Sequence, residues 1–291
     1  MKLSPKIRFT TLIFITLIMV LPVYIYCDAG PKPSDTIAIH GLEGQTYYTT
    51  LLSSDKYLGP YSIFDEEYPE EAWYHEGEDD YPIYKKFVDY TPPEGYYFLQ
   101  FFRNTSQDHR LNWTYFPPNE YKVLIYLPQG ERFIVSSEAY SNYAFATRYV
   151  ATVEGDEIIL TKGYKVVKEA LSLIGRIILT ILVEVGIARL FKIRQKELIR
   201  LIVVVNIVTQ ILLNVLLNFT SFYLGKLLAI VLLFLLEMVV FIIEATIYGF
   251  TFKRLSQGEI KGGKGILYAL AANSASLLVG IILAFILPGM F

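Results

Sequence analysis

Four apolar runs after residue 165 constrain this chain more than any other feature. They cover about 169–191, 201–223, 227–250 and 265–287, and each meets the roughly 20 residues needed to cross a hydrocarbon core. Backbone N–H and C=O groups find no water there, so a single apolar run can satisfy them only as a helix. Residues 166–291 are therefore expected to form an all-α four-helix transmembrane bundle.

The links between the runs carry unequal charge. Lys192, Arg194, Lys196 and Arg200 lie in the first link, and Lys253, Arg254, Lys261 and Lys264 in the third; the second holds only Lys226. Positive links stay in the cytoplasm. This predicts a multi-pass plasma-membrane protein with residues 30–165 outside. Residues 1–29 read as a signal peptide or anchor, because Lys2, Lys6 and Arg8 precede the apolar run Phe9–Tyr26, and Ala29 offers a cleavage point. Cys27 is the only cysteine, so a disulfide framework within the chain is excluded. The bulky Tyr24-Ile25-Tyr26 before it argues against lipidation.

Residues 30–165 differ in kind. They hold 21 acidic and 11 basic side chains, against 6 acidic and 12 basic in residues 166–291. Short aromatic or β-branched segments punctuated by Pro and Gly predict strands at Thr46–Leu52, Gly95–Phe102, Tyr121–Leu127, Arg132–Ser136, Ala144–Val153 and Glu157–Thr161. This spacing favours a β-rich, sandwich-like exported domain. The alternation in Tyr121–Ile125 leaves open which face is buried. Nine carboxylates crowd Asp65–Asp80; this reads as a solvated loop, with Ca²⁺ as the alternative, although no DxDxDG spacing is present. Of 23 tyrosines, 18 fall here, as expected for strand packing, with glycan stacking the alternative.

The stretches FVDYTPPEGYYFLQFF (87–102), WTYFPPNEYKVLIYLP (113–128), VNIVTQILLNVLLN (205–218) and YALAANSASLLVG (268–280) resemble a Gram-positive bacterial membrane-protein family of unassigned activity. The resemblance implies a signal peptide, an exported β domain of carboxypeptidase-regulatory-like, transthyretin type, and four transmembrane helices. It implies no functional residue.

The apolar runs also carry polar groups, which are costly at depth and rarely idle. Arg176 and Glu184 lie in the first, Asn206, Thr209, Gln210, Asn214 and Asn218 in the second, Glu237 and Glu244 in the third, and Asn273 in the fourth. At about 1.5 Å per residue, Glu184, Gln210, Glu244 and Asn273 share one depth and are expected to form an inner polar layer. Arg176 and Glu237 fall nearer the outer edge and are expected to pair. Ala272, Ser276, Gly280 and Ala284 form a small-residue ridge suited to close helix packing.

No P-loop, dinucleotide or HExxH motif occurs, the three histidines all precede residue 110, and no Asp follows residue 156. These absences remove the zinc and aspartyl intramembrane proteases. No catalytic residue, metal or cofactor is assigned, and the net charge of −2 gives no basis for a nucleic-acid partner. The function expected is an exported binding or sensing module on a bundle that docks a membrane protein partner or a second copy. The alternative is a polytopic enzyme or carrier using Glu184 and Glu244 as a proton, ion or headgroup site.

Overall fold

The computed structural model describes residues 30–164 and 166–286. The predicted signal at 1–29 lies outside the described residues. The chain divides into two compact units, one of Pro31–Tyr164 and one holding the four long helices.

The first unit contains two main β-sheets. In one, β1 (Ser34–His40) runs parallel to β11 (Ala146–Glu154) and antiparallel to β7 (Arg110–Trp113), with β12 (Glu157–Lys162) outside β11. Along β1 the side chains alternate, and Asp35, Ile37 and Ile39 point inward. The second sheet is built on β2 (Tyr48–Ser53) and β8 (Glu120–Leu127). It is extended by the two-residue strands β5 (Tyr97–Phe98), β6 (Arg103–Asn104) and β10 (Tyr140–Ser141), and by β9 (Arg132–Val135). A small ribbon pairs β3 (Tyr57–Leu58) with β4 (Tyr61–Ser62).

The imperfect alternation of β8 has a direct cause: both of its faces are buried. Tyr121, Val123, Ile125 and Leu127 enter the core shared with the first sheet, beside Ile37, Ile39, Trp113 and Leu160. Leu124 and Tyr126 face the other way, into a second cluster with Leu52, Phe98 and Phe102. That cluster is covered by helix α1 (Tyr81–Val88), whose Tyr84 and Phe87 are its buried residues. The Phe87 ring stands 5.1 Å from Phe102 and 5.2 Å from Phe98. A sandwich with one face covered by a helix therefore accounts for much of the aromatic content, since a buried ring removes a large apolar area from water.

Strand propensity over Gly95–Phe102 is only partly used, because Gln100 adopts φ +58° and leaves the sheet after Phe98. Its fully buried side chain becomes a hub. Oε1 accepts from Trp73 N at 3.1 Å and from the Tyr84 hydroxyl at 2.6 Å, and Nε2 donates to Ile63 O at 3.2 Å. The segment containing the acidic run is thus tied to the second sheet by one amide. The carboxylates themselves do not converge, and among the described residues no group of acids, histidines or cysteines is arranged to hold a metal ion.

The second unit is a bundle of α2 (Val166–Leu190), α3 (Lys196–Leu224), α4 (Lys226–Leu255) and α5 (Gly262–Ile286). All four are long and apolar enough to cross a membrane, so this is a multi-pass membrane protein. The β-rich region followed by an α-helical bundle is the expected fold class. Each helix packs on its neighbours in the chain, and α5 returns to α2. The bundle differs from a soluble one in its apolar exterior and in the polar groups that share its interior with apolar side chains. On α3 the buried side include Asn206, Thr209, Gln210 and Asn214, while Val204, Val208, Leu212 and Val215 face outward. Lipid tails favour the apolar exterior, and polar groups turn to each other inside.

The links are short. A single residue, Gly225, joins α3 to α4 at φ +96°. Beyond α2, Lys192 enters the left-handed region at φ +58° and Ile193 N donates to Ala188 O at 2.9 Å, the six-to-one bond of a Schellman stop. The closest helix approach is between α4 and α5. A Cβ on Gly262 would lie 2.3 Å from Gly249 O, and one on Gly265 2.7 Å from Tyr248 O.

Candidate functional site

Two carboxylates occupy the bundle core. Glu184 on α2 and Glu244 on α4 come from helices diagonal to each other, and both are fully buried. Their partners are contributed by the other diagonal pair, α3 and α5. Glu244 Oε1 accepts from the Thr209 hydroxyl at 2.9 Å, and its Oε2 from Asn273 Nδ2 at 2.7 Å. Glu184 Oε2 accepts from Asn206 Nδ2 and, at 3.2 Å, from the Tyr268 hydroxyl. Each carboxylate therefore links three helices through neutral donors. Among the described residues no Lys, Arg or His makes an ion pair within 4.0 Å in this unit, and Arg189 is exposed.

One feature of the core is out of balance. Glu184 Oε1 and Asn206 Oδ1 are both buried and both lack a hydrogen-bond partner. Two acceptors cannot satisfy each other. A single proton on Glu184 Oε1 could donate to Asn206 Oδ1 and, with the bond from Asn206 Nδ2 to Glu184 Oε2, complete a cyclic acid–amide pair. The chemistry open to this core is accordingly the uptake or release of a proton, or of a small cation held by oxygen atoms.

On the side where α2 ends, the core is closed. The rings of Tyr248, Phe252 and Tyr268 cluster with centroids 5.1, 5.5 and 5.9 Å apart, and Ala188, Ile193, Leu198 and Ile202 pack with them. Toward the end where α2 begins, the bundle is hollow. A cavity of about 200 Å³ is bordered by Arg176, Gln210, Asn214, Glu237 and Ser276 among leucines. Arg176 precedes Glu184 by eight residues and Glu237 precedes Glu244 by seven, so the cavity lies about 10–12 Å along the axis from the carboxylates.

The residues picked out in the sequence are thus distributed over three places. Glu184, Glu244 and Asn273 meet in the core. Gln210 borders the cavity, where its Oε1 accepts from Asn214 Nδ2 at 3.3 Å. Arg176 and Glu237 border the same cavity from diagonal helices, but no ion pair within 4.0 Å joins them; Arg176 Nε is buried without a partner. In the small-residue ridge, Ala272 is buried beside Tyr268, whereas Ser276 and Gly280 border the cavity. The side chain of Ala284 lies outside those described. The close packing of α5 instead uses Gly262 and Gly265.

Sequence reasoning left Tyr248 and Tyr268 out of the polar layer. Tyr248 follows Glu244 by four residues, hence on the same helix face, and that spacing was the available signal. No protein-family model, no curated protein and no solved structure matches this chain, so the β-rich region and the four membrane helices are what remains of the family resemblance.

Proposed function

We propose that this protein is a membrane-embedded binding protein of the bacterial cell envelope. In this reading residues 30–165 are an exported binding or sensing module, and the bundle does more than anchor it. The observation that carries the reading is the asymmetry of the bundle core, which holds a cavity edged by polar side chains in one half and is filled by aromatic rings in the other. One helix would anchor as firmly as four, and an anchor has no need of a charged cavity at depth. The basic links gather at the sealed end: Lys192, Arg194 and Lys196 beside Lys253, Arg254, Lys261 and Lys264. This supports a cytoplasmic location for that end. The last β-strand stops at Lys162 and α2 starts at Val166, at the end of α2 away from the basic links, which supports the reading of residues 30–165 as exported. The links between the helices are too short to fold as a cytoplasmic domain, and a message inward would pass through the bundle to a membrane partner or a second copy.

The topology is tested by single cysteines at the exposed positions Glu78 and Glu259, after Cys27→Ser. A membrane-impermeant maleimide should label position 78 in intact cells and position 259 only after permeabilisation; the reverse pattern refutes the arrangement. A second reading, a carrier or enzyme working through Glu184 and Glu244, is favoured by the unpaired acceptors of Glu184 and Asn206. On that reading Glu184→Gln and Glu244→Gln fold normally but fail to rescue a deletion strain. If the carboxylates only join helices, both variants rescue.

A further inference from the structure

We infer that the cavity bordered by Arg176 and Glu237 binds a zwitterion, an ammonium joined to a phosphate or carboxylate. The inference rests on the proposed binding function and specifies the ligand class of that same bundle. Arg176 projects from α2 and Glu237 from the diagonal helix α4, both onto one cavity of about 200 Å³. Among the described residues no ion pair within 4.0 Å joins them, and Arg176 Nε is buried without a hydrogen-bond partner. The acidic residues of Arg176's own helix, Glu169 and Glu184, lie about two turns away on either side. Opposite charges left apart across a cavity at membrane depth define what complements them. An anion would pair with the guanidinium but be repelled by the carboxylate, and a cation the reverse. A neutral apolar molecule would leave both charges desolvated and unpaired. A zwitterion pairs both, with its phosphate or carboxylate on the guanidinium, which suits such groups in a two-pronged fashion, and its ammonium on Glu237.

The rest of the lining agrees with this assignment. Gln210 and Asn214 add amide groups between the two charges, and Leu179, Leu213, Leu233 and Leu277 offer an apolar wall. The space corresponds to about seven waters, enough for a small polar group with a short hydrocarbon portion. Gly280 borders the cavity, and a Cβ placed there meets nothing within 4 Å, so the volume on that side is unoccupied by protein. The same chemistry is found in the headgroup of an ethanolamine phospholipid and in a free apolar amino acid.

The test uses the full-length protein in mild detergent and reads melting temperature against added ligand. Short-chain phosphatidylethanolamine and free leucine are the two zwitterionic probes, with phosphatidylglycerol of the same chain length as the anionic control. Stabilisation by phosphatidylethanolamine alone identifies a lipid headgroup as the source, and stabilisation by leucine alone a free solute. Arg176→Gln and Glu237→Gln should each weaken the effective probe at least tenfold. Gly280→Phe, which fills the cavity without touching a charge, should abolish the response while leaving the unliganded melt in place. Equal stabilisation by phosphatidylglycerol, no response to either zwitterion, or undiminished binding in Gly280→Phe overturns the inference, the last even where the charge variants fail to fold. Cysteine labelling of the topology is independent of all these outcomes, so loss of the zwitterion site leaves the envelope topology to be judged separately.

Discussion

Asp35 offers a quantitative test of how the β unit is held together. It lies in β1 opposite Trp113 on one side and beside Thr147 of β11 on the other. It is 2% exposed, and neither carboxylate oxygen makes a hydrogen bond of ordinary geometry. Burial pushes its pKa from 3.8 up to about 6, against a smaller opposing effect of the adjacent Tyr121 and Thr147 hydroxyls. The folded state thus holds the Asp35 proton more tightly than the unfolded chain does. The stability from this group is complete below pH 3.8 and is lost as pH rises through about 6. The full difference amounts to about 3 kcal/mol, a sizeable part of the stability of an ordinary domain.

Asp35→Asn keeps the size of the side chain and removes the titration. Its own amide needs partners, so the absolute stability of the variant is not the diagnostic; the pH dependence of its difference from the wild type is. In urea unfolding of residues 31–164, wild type relative to variant should lose about 2 kcal/mol between pH 4.5 and pH 7.5. A difference that does not change with pH, or a wild type that gains on the variant as pH rises, would refute the reasoning.

Two further expectations concern the bundle. The unpaired acceptors of Glu184 and Asn206 call for a proton, so infrared difference spectra between wild type and Glu184→Gln should contain the carbonyl stretch of a protonated carboxyl; its absence at neutral pH would point to a bound cation instead. Gly262→Val should lower the melting temperature sharply, by a few kcal/mol of stability, because its first side-chain carbon meets Gly249 O at 2.3 Å and must push α5 off α4. Gly280→Ala should be nearly silent, and equal losses at both positions would show that the close approach has been misplaced.

The membrane part was legible in the sequence because its constraint is local. About 20 consecutive apolar residues must form a helix in lipid whatever the rest of the chain does, and the alternation of Lys and Arg between links needs no tertiary information. The polar groups were legible for the same reason, since Glu184, Glu244 and Asn273 stand out against Leu, Ile and Val. Their partners were not. Amides four residues apart share a face only approximately, because each step turns the helix about 40° past a full circle. Eight residues also rise about 12 Å, so Asn206 reaches Glu184 while Asn214 reaches the cavity further along the axis. Equal depth likewise placed Arg176 opposite Glu237 along the axis but said nothing of the distance across the bundle.

In the β unit, the hairpin β11–β12 declares itself through a two-residue turn at Gly155 and Asp156, with Gly155 at φ +64°. Strand β1 does not, because its partner on one side is β11, with Ser34 opposite Ala146; a parallel pairing between distant segments leaves no local mark. Helix α1 was missed because it is only eight residues long, too short to hold without the face of β8 that it covers. Composition and periodicity thus determined that the chain has a β-rich region and four membrane helices, properties each segment settles with its solvent. Tertiary packing decided which strand lies in the centre, which amide meets which carboxylate, and that two opposite charges stand across a cavity, because these depend on how helices are rotated and strands are ordered around a shared core.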